Sequence, residues 1–280
     1  MKILITGAGG QLGHMLPQAL RGHEAYALTH AQLDISQLSA VRTAIEHAEP
    51  DLVINAAAYN NVDGAESDPV AAYRGNALGP RNLAVVTAAY GIPLLHVSTD
   101  YVFSGTGKRP YHEFDRTNPQ SVYGESKLAG EEAVRTLNPC HYIVRTAWLF
   151  HVVGKNFLRT MCTLAQQQSE VRVVDDQRGS PTFVPHLADA IVSLLTTRSY
   201  GIYHFAGQGE ASWYELTCKL YQLLGIAISV CPIKTTEFPR PAKRPAYSVL
   251  TTIQDPHIVL PAWEVGVQQF TEEIQVISSS

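Results

Sequence analysis

The chain has 280 residues, of which 45% are hydrophobic and 16% charged, so it is long enough for one large α/β domain, alone or with a small lobe. A formal net charge of −4 argues against nucleic acid as the main partner, and no apolar run approaches the roughly 18–20 residues of a membrane span. The four cysteines form no C-x-x-C pair, so we expect buried thiols rather than a disulfide framework or a zinc site.

The N-terminal residues predict the start of a dinucleotide-binding fold. Residues 2–6 form a short apolar strand at the very beginning of the chain, so we expect no signal peptide and a cytoplasmic protein. Glycines follow at a spacing of three, at Gly7, Gly10 and Gly13, before a helical pattern that extends to Leu20. In such a unit the glycines let the backbone approach a pyrophosphate that rests on the helix N-terminus. The alternative is a glycine-rich turn that binds no ligand.

The second predicted strand, residues 25–29, ends without the acidic residue that often binds the ribose 2′-hydroxyl of NAD. Thr29 and His30 stand there instead, and neither repels a 2′-phosphate. This favours NADPH as the cofactor, or the use of both NADPH and NADH. Asp34 follows, and it either accepts a hydrogen bond from an adenine amino group or caps a helix predicted over residues 36–47.

The third predicted strand, residues 51–55, leads into three alanines and Tyr59. Small side chains at the carboxyl end of a strand let a flat cofactor lie against the backbone, although they also suit tight packing of a helix on the sheet. Asn76 lies in an otherwise apolar helical pattern that ends near residues 90–91, so its side chain needs a buried partner.

The fourth predicted strand, residues 92–97, carries Ser98, Thr99 and Asp100 at its carboxyl end. Open α/β sheets bind ligands at that edge, so Thr99 is a candidate hydroxyl for a substrate carbonyl, or else a turn cap. Residues 105–119 are polar and rich in turn formers, which predicts a loop over the site.

Tyr123 and Lys127 are four residues apart in the next helical pattern, so they share one face of the helix. There an ammonium group is expected to lower the phenol pKa from its usual value of about 10 towards neutral pH. A tyrosine of that kind can donate a proton to a carbonyl oxygen or accept one from an alcohol. The alternative is an exposed helical pair without chemistry.

The pattern in the second half of the chain predicts further α/β structure, in which strands and helices alternate less strictly. Trp148 follows a strand and either stacks on a ligand ring or lies in the core. Arg240, Lys243 and Arg244 lie among closely spaced prolines, in a loop that either holds an anionic phosphate or is a solvated connector. The predicted elements are strands over 141–146, 171–174 and 201–205, helices over 157–167, 187–195 and 213–224, and a loop over 177–182.

The glycine turn, the alanine run after Asn55, Thr99, and the Tyr123 and Lys127 pair occur in the order found in extended short-chain dehydrogenase/reductases. Within that superfamily the chain resembles the dTDP-4-dehydrorhamnose reductase family, nearly from end to end. The glycine and tyrosine–lysine motifs indicate the superfamily, and three stretches narrow it to this family: residues 98–103, Trp148 and residues 179–182.

The resemblance implies reduction of the 4-keto group of dTDP-4-dehydro-β-L-rhamnose with NADPH or NADH, for cell-surface polysaccharide. It implies that Tyr123 protonates the ketone, that Lys127 lowers the pKa of Tyr123 and holds the nicotinamide ribose, and that Thr99 binds the same oxygen. Asp100 and Trp148 would contact the sugar. The residues expected to line the cofactor are Gly7, Gly10, Gln11, Leu12, Gly13, His30, Asp34, Ile35, Ala57, Ala58, Tyr59, Tyr123 and Lys127.

Two positions depart from the family pattern. Some members bind magnesium through a glutamate two residues after the last glycine, but Met15 stands there, so we expect no such metal and no dimer built on it. Phe150 and His151 replace a common Tyr-Gly pair, which puts the local substrate contacts in question.

The fold expected is α/β, with a Rossmann-type doubly wound parallel sheet and a smaller mixed α/β C-terminal substrate lobe. We assign residues 1–150 and roughly 180–207 to the dinucleotide-binding domain, and residues 151–179 and 208–280 to the substrate lobe. The expected partner is a dTDP-sugar, with the protein a monomer or weak homodimer. Two other readings stay open: a dinucleotide-binding regulatory subunit like that of methionine adenosyltransferase, and a related nucleotide-sugar ketoreductase, epimerase or dehydratase.

Overall fold

The computed structural model describes residues 1–279 of the chain, with side chains described as far as residue 277. The strands are β1 (Lys2–Thr6), β2 (Glu24–Leu28), β3 (Leu52–Asn55), β4 (Leu94–Thr99), β5 (His141–Thr146), β6 (Leu149–Phe150), β7 (Glu170–Val174), β8 (Arg178–Gly179), β9 (Thr182–Phe183), β10 (Gly201–His204), β11 (Ala211–Ser212) and β12 (Ser229–Ile233). The α-helices are α1 (Gln11–Ala19), α2 (Leu38–Ala48), α3 (Val62–Ser67), α4 (Pro69–Tyr73), α5 (Gly79–Ala89), α6 (Val122–Leu137), α7 (Phe157–Gln167), α8 (Val184–Leu195), α9 (Trp213–Leu224) and α10 (Trp263–Ser279). A π-helical turn covers Arg74–Leu78, and short 3₁₀ turns cover Asp100–Val102 and Thr235–Glu237.

The central sheet is parallel throughout, in the order β10-β5-β4-β3-β1-β2. From β1 the chain moves to β2 on one side, and then returns to β3 on the other side. The strand order therefore reverses between β1 and β3, and in open α/β sheets a crevice for ligands lies at such a switch point. This topology confirms the predicted doubly wound fold.

Alternating side chains of the buried strands supply both faces of this sheet. On one face Ile3, Ile5 and Val144 pack with side chains of α1 and α8. On the other face Leu4 and Val53 pack with side chains of α2, α5 and α6. Because both faces are covered, these strands are apolar along their length, which is the pattern that made them readable in the sequence.

A second core, which we call the C-terminal core, forms beside the central sheet. Its buried members include Phe150, Leu158, Val171, Leu216 and Phe270, from β6, α7, β7, α9 and α10. Strands β7 and β12 pair in parallel next to it, and the two-residue strands form the pairs β11–β8 and β6–β9. The mixed α/β character expected for the C-terminal half is therefore present.

Several element boundaries differ from those predicted. Strand β4 continues to Thr99, so that residue ends the strand rather than following it, and its side chain accepts a hydrogen bond from Tyr101 N at 3.2 Å as a turn cap. Helix α2 begins at Leu38 with Gln37 at its N-cap, so Asp34 does not cap it; Asp34 Oδ1 instead accepts from Ser36 N at 2.9 Å. Residues 177–182, predicted as a loop, contain β8 and the start of β9, and β12 and α10 were not predicted at all.

Other expectations about buried groups have mixed outcomes. The four cysteines are free thiols, but each is partly exposed rather than buried as expected. The partner that Asn76 needs is structural: its amide donates to Ser126 Oγ and Tyr59 O, and its carbonyl accepts from Tyr59 N at 2.8 Å. Among the helices described, none has both the length and the hydropathy to cross a bilayer.

Candidate active site

The glycine turn joins the carboxyl ends of β1 and β3 at the switch point. Gly7 has a φ of 77°, and a Cβ added there would lie 2.5 Å from Ala57 N. A Cβ on Gly13 would lie 2.2 Å from Gly7 O, because α1 starts directly against the turn. Only glycine fits either position, since Gly7 needs a left-handed backbone and both sites allow close backbone approach. The predicted dinucleotide turn is thus present in its expected place.

A cleft of about 530 Å³ opens from this turn, which is within the usual size range of ligand sites. Residues that the sequence assigned to the cofactor make up about half of its lining: Gly7, Gly10, His30, Asp34, Ile35, Ala57, Ala58 and Tyr59. The sequence did not predict the rest of the lining, namely Gly9, Ser36, Ala56, Asn60, Ala71, Arg74 and Gly75. A cleft that opens at the glycine turn and is lined largely by glycine and alanine fits a dinucleotide, because small side chains let the cofactor lie against the backbone.

Five predicted cofactor residues are absent from this lining: Tyr123 and Lys127, which are described below, and Gln11, Leu12 and Gly13. The side chain of Leu12 lies in the core with Ile3 and Leu16. Gln11 points to the second half of the chain, where its Oε1 accepts from Asn156 Nδ2 at 3.1 Å. Gly13 contributes close packing rather than surface. Because neither the Leu12 side chain nor Gly13 lines the cleft, any contact of these residues with a dinucleotide would use their backbone atoms at the start of α1.

Asn76 connects the cleft to the helix that carries Tyr123. It lies in the π-helical turn Arg74–Leu78, and π-helical turns occur often at functional sites. Its side chain fixes the backbone of Tyr59, which lines the cleft, and contacts Ser126 on α6. A Cβ on Gly130 would lie 2.1 Å from Asn76 O, so α6 is pressed against this turn.

The predicted catalytic side chains converge beside the cleft. Tyr123 stands on the first turn of α6, which Ser121 caps by accepting from Gly124 N at 3.2 Å. Its ring packs in a small cluster with Tyr59, and Tyr101 contacts it edge-on at 5.4 Å between ring centroids. One turn further along α6, Lys127 Nζ donates to Val97 O at 2.6 Å on β4. The same strand ends at Thr99, whose side chain is near enough to Tyr123 to lower the pKa of the phenol.

The expectation that Lys127 lowers the pKa of Tyr123 is wrong for the chain by itself. Burial raises the pKa of Tyr123 to about 12, while the hydrogen bond with Thr99 lowers it and the charge of Asp100 raises it. Burial also lowers the pKa of Lys127 to about 8, although Glu131 opposes that change. Desolvation therefore outweighs charge assistance. At neutral pH the phenol keeps its proton, as a proton donor must.

Asp100, predicted to contact the sugar, lies buried beside Thr99. Its Oδ1 accepts from Thr99 Oγ1 at 2.9 Å, and in the part of the chain that the structure describes its buried Oδ2 has no hydrogen-bond partner. Burial raises the pKa of Asp100 to about 6, against hydrogen bonds from Ser248 and Thr99 that lower it. Because its carboxylate holds the Thr99 hydroxyl, Asp100 orients a group of the site.

A buried polar chain beneath the site escaped the sequence analysis. Thr6 Oγ1 donates to Asn55 Oδ1 at 2.7 Å, which also accepts from Ala57 N, so Asn55 Nδ2 faces His96 Nδ1 at 2.9 Å. Burial and the charge of Lys127 hold the pKa of His96 well below its usual range, so the ring is neutral. These contacts tie the ends of β1, β3 and β4 together. Three polar residues at paired positions of neighbouring buried strands, Thr6, Asn55 and His96, were the available signal.

Trp148 is partly buried and packs against the C-terminal core, while its predicted contact with the sugar stays a prediction. Its backbone φ is 47°, and its ring stacks on Trp213 with centroids 3.4 Å apart. A Cβ on Gly179 would lie 2.4 Å from the same indole, so that edge is also covered. Trp213 is fixed in turn, because its Nε1 donates to Gln177 Oε1 at 3.2 Å. The stacked pair joins the central sheet to the C-terminal core.

The two departures from the family pattern lie away from the tyrosine. Phe150 is part of the C-terminal core, and His151 is buried with its Nε2 3.8 Å from Glu273 Oε2. Met15 packs against the core of the central sheet. Among the described side chains, no group of three or more His, Cys, Asp or Glu is arranged to hold a metal ion.

The sequence and the structure were compared with known proteins. The model of the RmlD substrate binding domain family matches residues 1–276. A dTDP-4-dehydrorhamnose reductase of Mycobacterium tuberculosis is 45% identical over 262 residues, covering 90% of this chain and 86% of that protein. A crystal structure of a dTDP-4-dehydrorhamnose reductase from Clostridium acetobutylicum is 42% identical with a TM-score of 0.95, covering 98% of this chain and all of that one. The Bacillus anthracis reductase, solved in complex with NADP, is 39% identical with a TM-score of 0.95 and the same coverage.

Proposed function

The chain belongs to the RmlD substrate binding domain family, and from that premise we propose that it is a dTDP-4-dehydrorhamnose reductase. It reduces the 4-keto group of dTDP-4-dehydro-β-L-rhamnose to give dTDP-L-rhamnose for polysaccharide biosynthesis. One observation carries the proposal: a protonated, buried phenol packs with Tyr59 of the dinucleotide cleft and lies near a threonine at the end of β4.

Each catalytic side chain has a distinct task. Tyr123 donates its proton to the ketone oxygen as that oxygen gains charge. Thr99 has a single hydroxyl proton, which Asp100 accepts in this structure, and it would turn that proton to the same oxygen when the ketone binds, where donors contribute most in the transition state. The ammonium of Lys127, held by Val97 O, stabilises the phenolate that remains on Tyr123. Asp100 keeps the Thr99 hydroxyl in place.

The cofactor is NADPH, with NADH as a possible substitute, and when bound it supplies the hydride for the ketone carbon. Its pyrophosphate would rest on the turn formed by Gly7 and Gly10, at the start of α1. His30 would lie near the 2′-phosphate, and Asp34 near the adenine. Arg74 adds a positive charge to the same cleft, which favours the more anionic cofactor.

We propose the same division of the chain as the sequence suggests. Residues 1–150 and roughly 180–207 form the dinucleotide-binding domain, and residues 151–179 and 208–280 form the substrate lobe, with the sugar held between them. Participation of β10 in the central sheet supports this division. The protein acts on a dTDP-sugar as a cytoplasmic monomer or weak homodimer.

The direct test is NADPH oxidation, followed by its absorbance, with purified protein and dTDP-4-dehydro-β-L-rhamnose. We expect turnover in the wild type and a loss of roughly 10²–10⁴-fold in Tyr123→Phe, with NADPH affinity unchanged. An epimerase or dehydratase retains its cofactor through each cycle, so it would give no net oxidation. A regulatory subunit would bind NADPH without turnover. Equal turnover in Tyr123→Phe would refute the proton-donor role.

A further inference from the structure

The basic loop, which we define as residues 239–245, lies beside the catalytic tyrosine. It packs on the turn at Gly105, where an added Cβ would lie 2.7 Å from Pro245 Cα. Just after the loop, Tyr247 N donates to Gly105 O at 2.9 Å. Prolines at 239, 241 and 245 restrict its backbone, so its cations are carried on a stiff segment.

Asp63 on α3 is the anchor of the basic loop. Its Oδ2 lies 2.6 Å from Arg240 Nη2 and 2.9 Å from Arg244 Nη2, and its Oδ1 accepts from Ala242 N at 3.2 Å. Partial burial raises the pKa of Asp63, but the Ala242 hydrogen bond and the two arginine charges have the larger effect. The pKa of Asp63 is therefore below its usual value. A single carboxylate thus faces both Arg240 and Arg244. With Lys243 the basic loop has three positive charges, and Asp63 neutralises only one of them.

Arg244 differs from Arg240 in what its guanidinium leaves unused. The Arg244 side chain is 17% exposed, compared with 45% for Arg240. Its Nη1 is buried and, among residues 1–279, has no hydrogen-bond partner. A buried guanidinium nitrogen without an acceptor is costly, so the Arg244 guanidinium has donor capacity that the protein itself does not use.

A small cavity of about 70 Å³ lies next to Arg244. Its polar lining comes from Tyr101, Ser104, Thr106, Gln120, Ser121, Lys243 and Arg244. Lys243 Nζ reaches Gln120 Oε1 at 3.5 Å across it, which is a long contact that leaves the ammonium free for a second acceptor. Tyr101 forms one wall of this cavity, and the same ring contacts Tyr123 edge-on. The cavity is therefore one aromatic ring away from the reacting phenol.

We propose that Arg244, assisted by Lys243, binds the diphosphate of the sugar nucleotide and so sets the position of the sugar ring against Tyr123. This inference rests on the proposed function, because it assigns a binding residue for the same substrate. Guanidinium groups form paired hydrogen bonds to phosphate oxygens, and Ser104 and Thr106 add hydroxyl donors. The diphosphate and the 4-keto group lie at opposite ends of the pyranose ring, so a residue that holds the diphosphate also restricts where the ketone can lie.

The test is calorimetric binding of dTDP, and separately of thymidine, to the full chain saturated with NADPH. We expect Arg244→Gln to weaken dTDP binding about 10- to 100-fold while thymidine binding stays the same. Arg240→Gln is the matched control, because Arg240 shares Asp63 but does not line the cavity, and it should retain wild-type affinity. Inorganic pyrophosphate should compete with dTDP in the wild type and lose that ability in Arg244→Gln.

A purely structural role for Arg244 predicts a different pattern. If the residue only neutralises Asp63, then Asp63→Asn, Arg240→Gln and Arg244→Gln would weaken dTDP and thymidine alike, and the proposal would be overturned. Unchanged dTDP affinity in Arg244→Gln would also overturn it. Arg244→Lys, which keeps the charge but not the paired geometry, should fall between wild type and Arg244→Gln, and covers the case in which the glutamine variant does not fold.

The binding assay also separates this proposal from the proposed reaction. If the wild type binds dTDP through Arg244 but does not turn over dTDP-4-dehydro-β-L-rhamnose, the anion site stands and the reaction is wrong. If turnover is normal but Arg244→Gln binds dTDP as tightly as the wild type, the reaction stands and the anion site is wrong.

Discussion

Burial controls the chemistry of the individual side chains at this site. Tyr123 and Lys127 are both buried, and in each case desolvation disfavours the charged form: the pKa of the phenol rises and the pKa of the ammonium falls. The two shifts therefore move the pKa values apart, from the nearly equal 10.0 and 10.5 of the free groups to about 12 for the phenol and about 8 for the ammonium. From sequence alone only the spacing is visible, so the favourable charge was anticipated and the larger cost of desolvation was not.

The lowered pKa of Lys127 predicts an alkaline limit to activity. Lys127 is charged below pH 8 and loses its proton as the pH rises past about 8, so the positive charge that stabilises the phenolate of Tyr123 disappears. We therefore expect kcat/KM for the ketone to be level at neutral pH and to fall above pH 8. A pH series of initial rates at saturating NADPH would measure it.

Lys127→Arg is the matched control for the pH profile, because arginine keeps its charge over the whole range. Its profile should lack the alkaline fall, whatever its absolute rate. A wild-type profile that stays flat well above pH 8 would show that the charge of Lys127 does not limit the reaction.

At the scale of secondary structure, the glycine turn sets two energetic effects against each other. Alanine in place of Gly13 would favour helix α1 by about 1 kcal/mol. The added Cβ, however, would lie 2.2 Å from Gly7 O, a backbone atom that cannot rotate away. We expect the steric clash to outweigh the gain in helix propensity, because the clash can be avoided only by moving α1 away from the end of β1.

We therefore expect Gly13→Ala to lower the free energy of unfolding by roughly 1–3 kcal/mol in spite of its better helix propensity. Urea unfolding without added ligand would measure the difference. Gly9→Ala is the control, since a Cβ there would meet nothing within 4 Å, and its unfolding midpoint should stay close to that of the wild type. A Gly13→Ala midpoint at or above the wild-type value would contradict the close approach seen here.

The accuracy of sequence prediction also varied between elements for physical reasons. Buried parallel strands such as β1 and β5 were found with correct bounds, because burial on both faces requires an apolar run. Of the two roles predicted for Asp34, the helix cap is wrong, because an Asx turn and an N-cap present the same local sequence. The two-residue strands β8 and β11 hold together through long-range pairing, and they carry too few residues for any periodic signal.

At the scale of the whole molecule, Asn156 connects the two cores. Its side-chain carbonyl caps α7 by accepting from Arg159 N at 3.1 Å, while its side-chain amide donates to Gln11 Oε1 on α1 and to His151 O. The residue after the glycine turn is thereby tied to the C-terminal core. Asn156→Asp separates these roles, because it keeps the capping oxygen and removes the donor.

We expect Asn156→Asp to cost about 1–2 kcal/mol of unfolding free energy through its lost hydrogen bonds. We also expect faster amide hydrogen exchange at the start of α1 and at the start of α7, with exchange in the central sheet unchanged. Asn156→Ala, which also removes the cap, should lose more. Identical exchange in wild type and Asn156→Asp would mean that this contact does not couple the two cores.

The candidate site was predictable where its residues belong to local motifs and not where it depends on distant contacts. Thr99, Tyr123 and Lys127 lie on a strand end and the next helix, so topology alone brings them together. The stacking of Trp148 on Trp213 and the pairing of Asp63 with Arg244 join separate parts of the chain. Nothing in the flanking residues of either pair specifies its partner, so only the folded structure reveals it.

The order of the strands and helices along the chain affects how the protein can fold during translation. Strand β10 closes the edge of the central sheet beside β5, yet it is translated after β6, β7 and α7 of the C-terminal core. That core in turn waits for α10, which supplies Val267 and Phe270 near the end of the chain. The nascent polypeptide therefore carries two unfinished hydrophobic interiors at once, and an interrupted translation product would expose apolar surface from both.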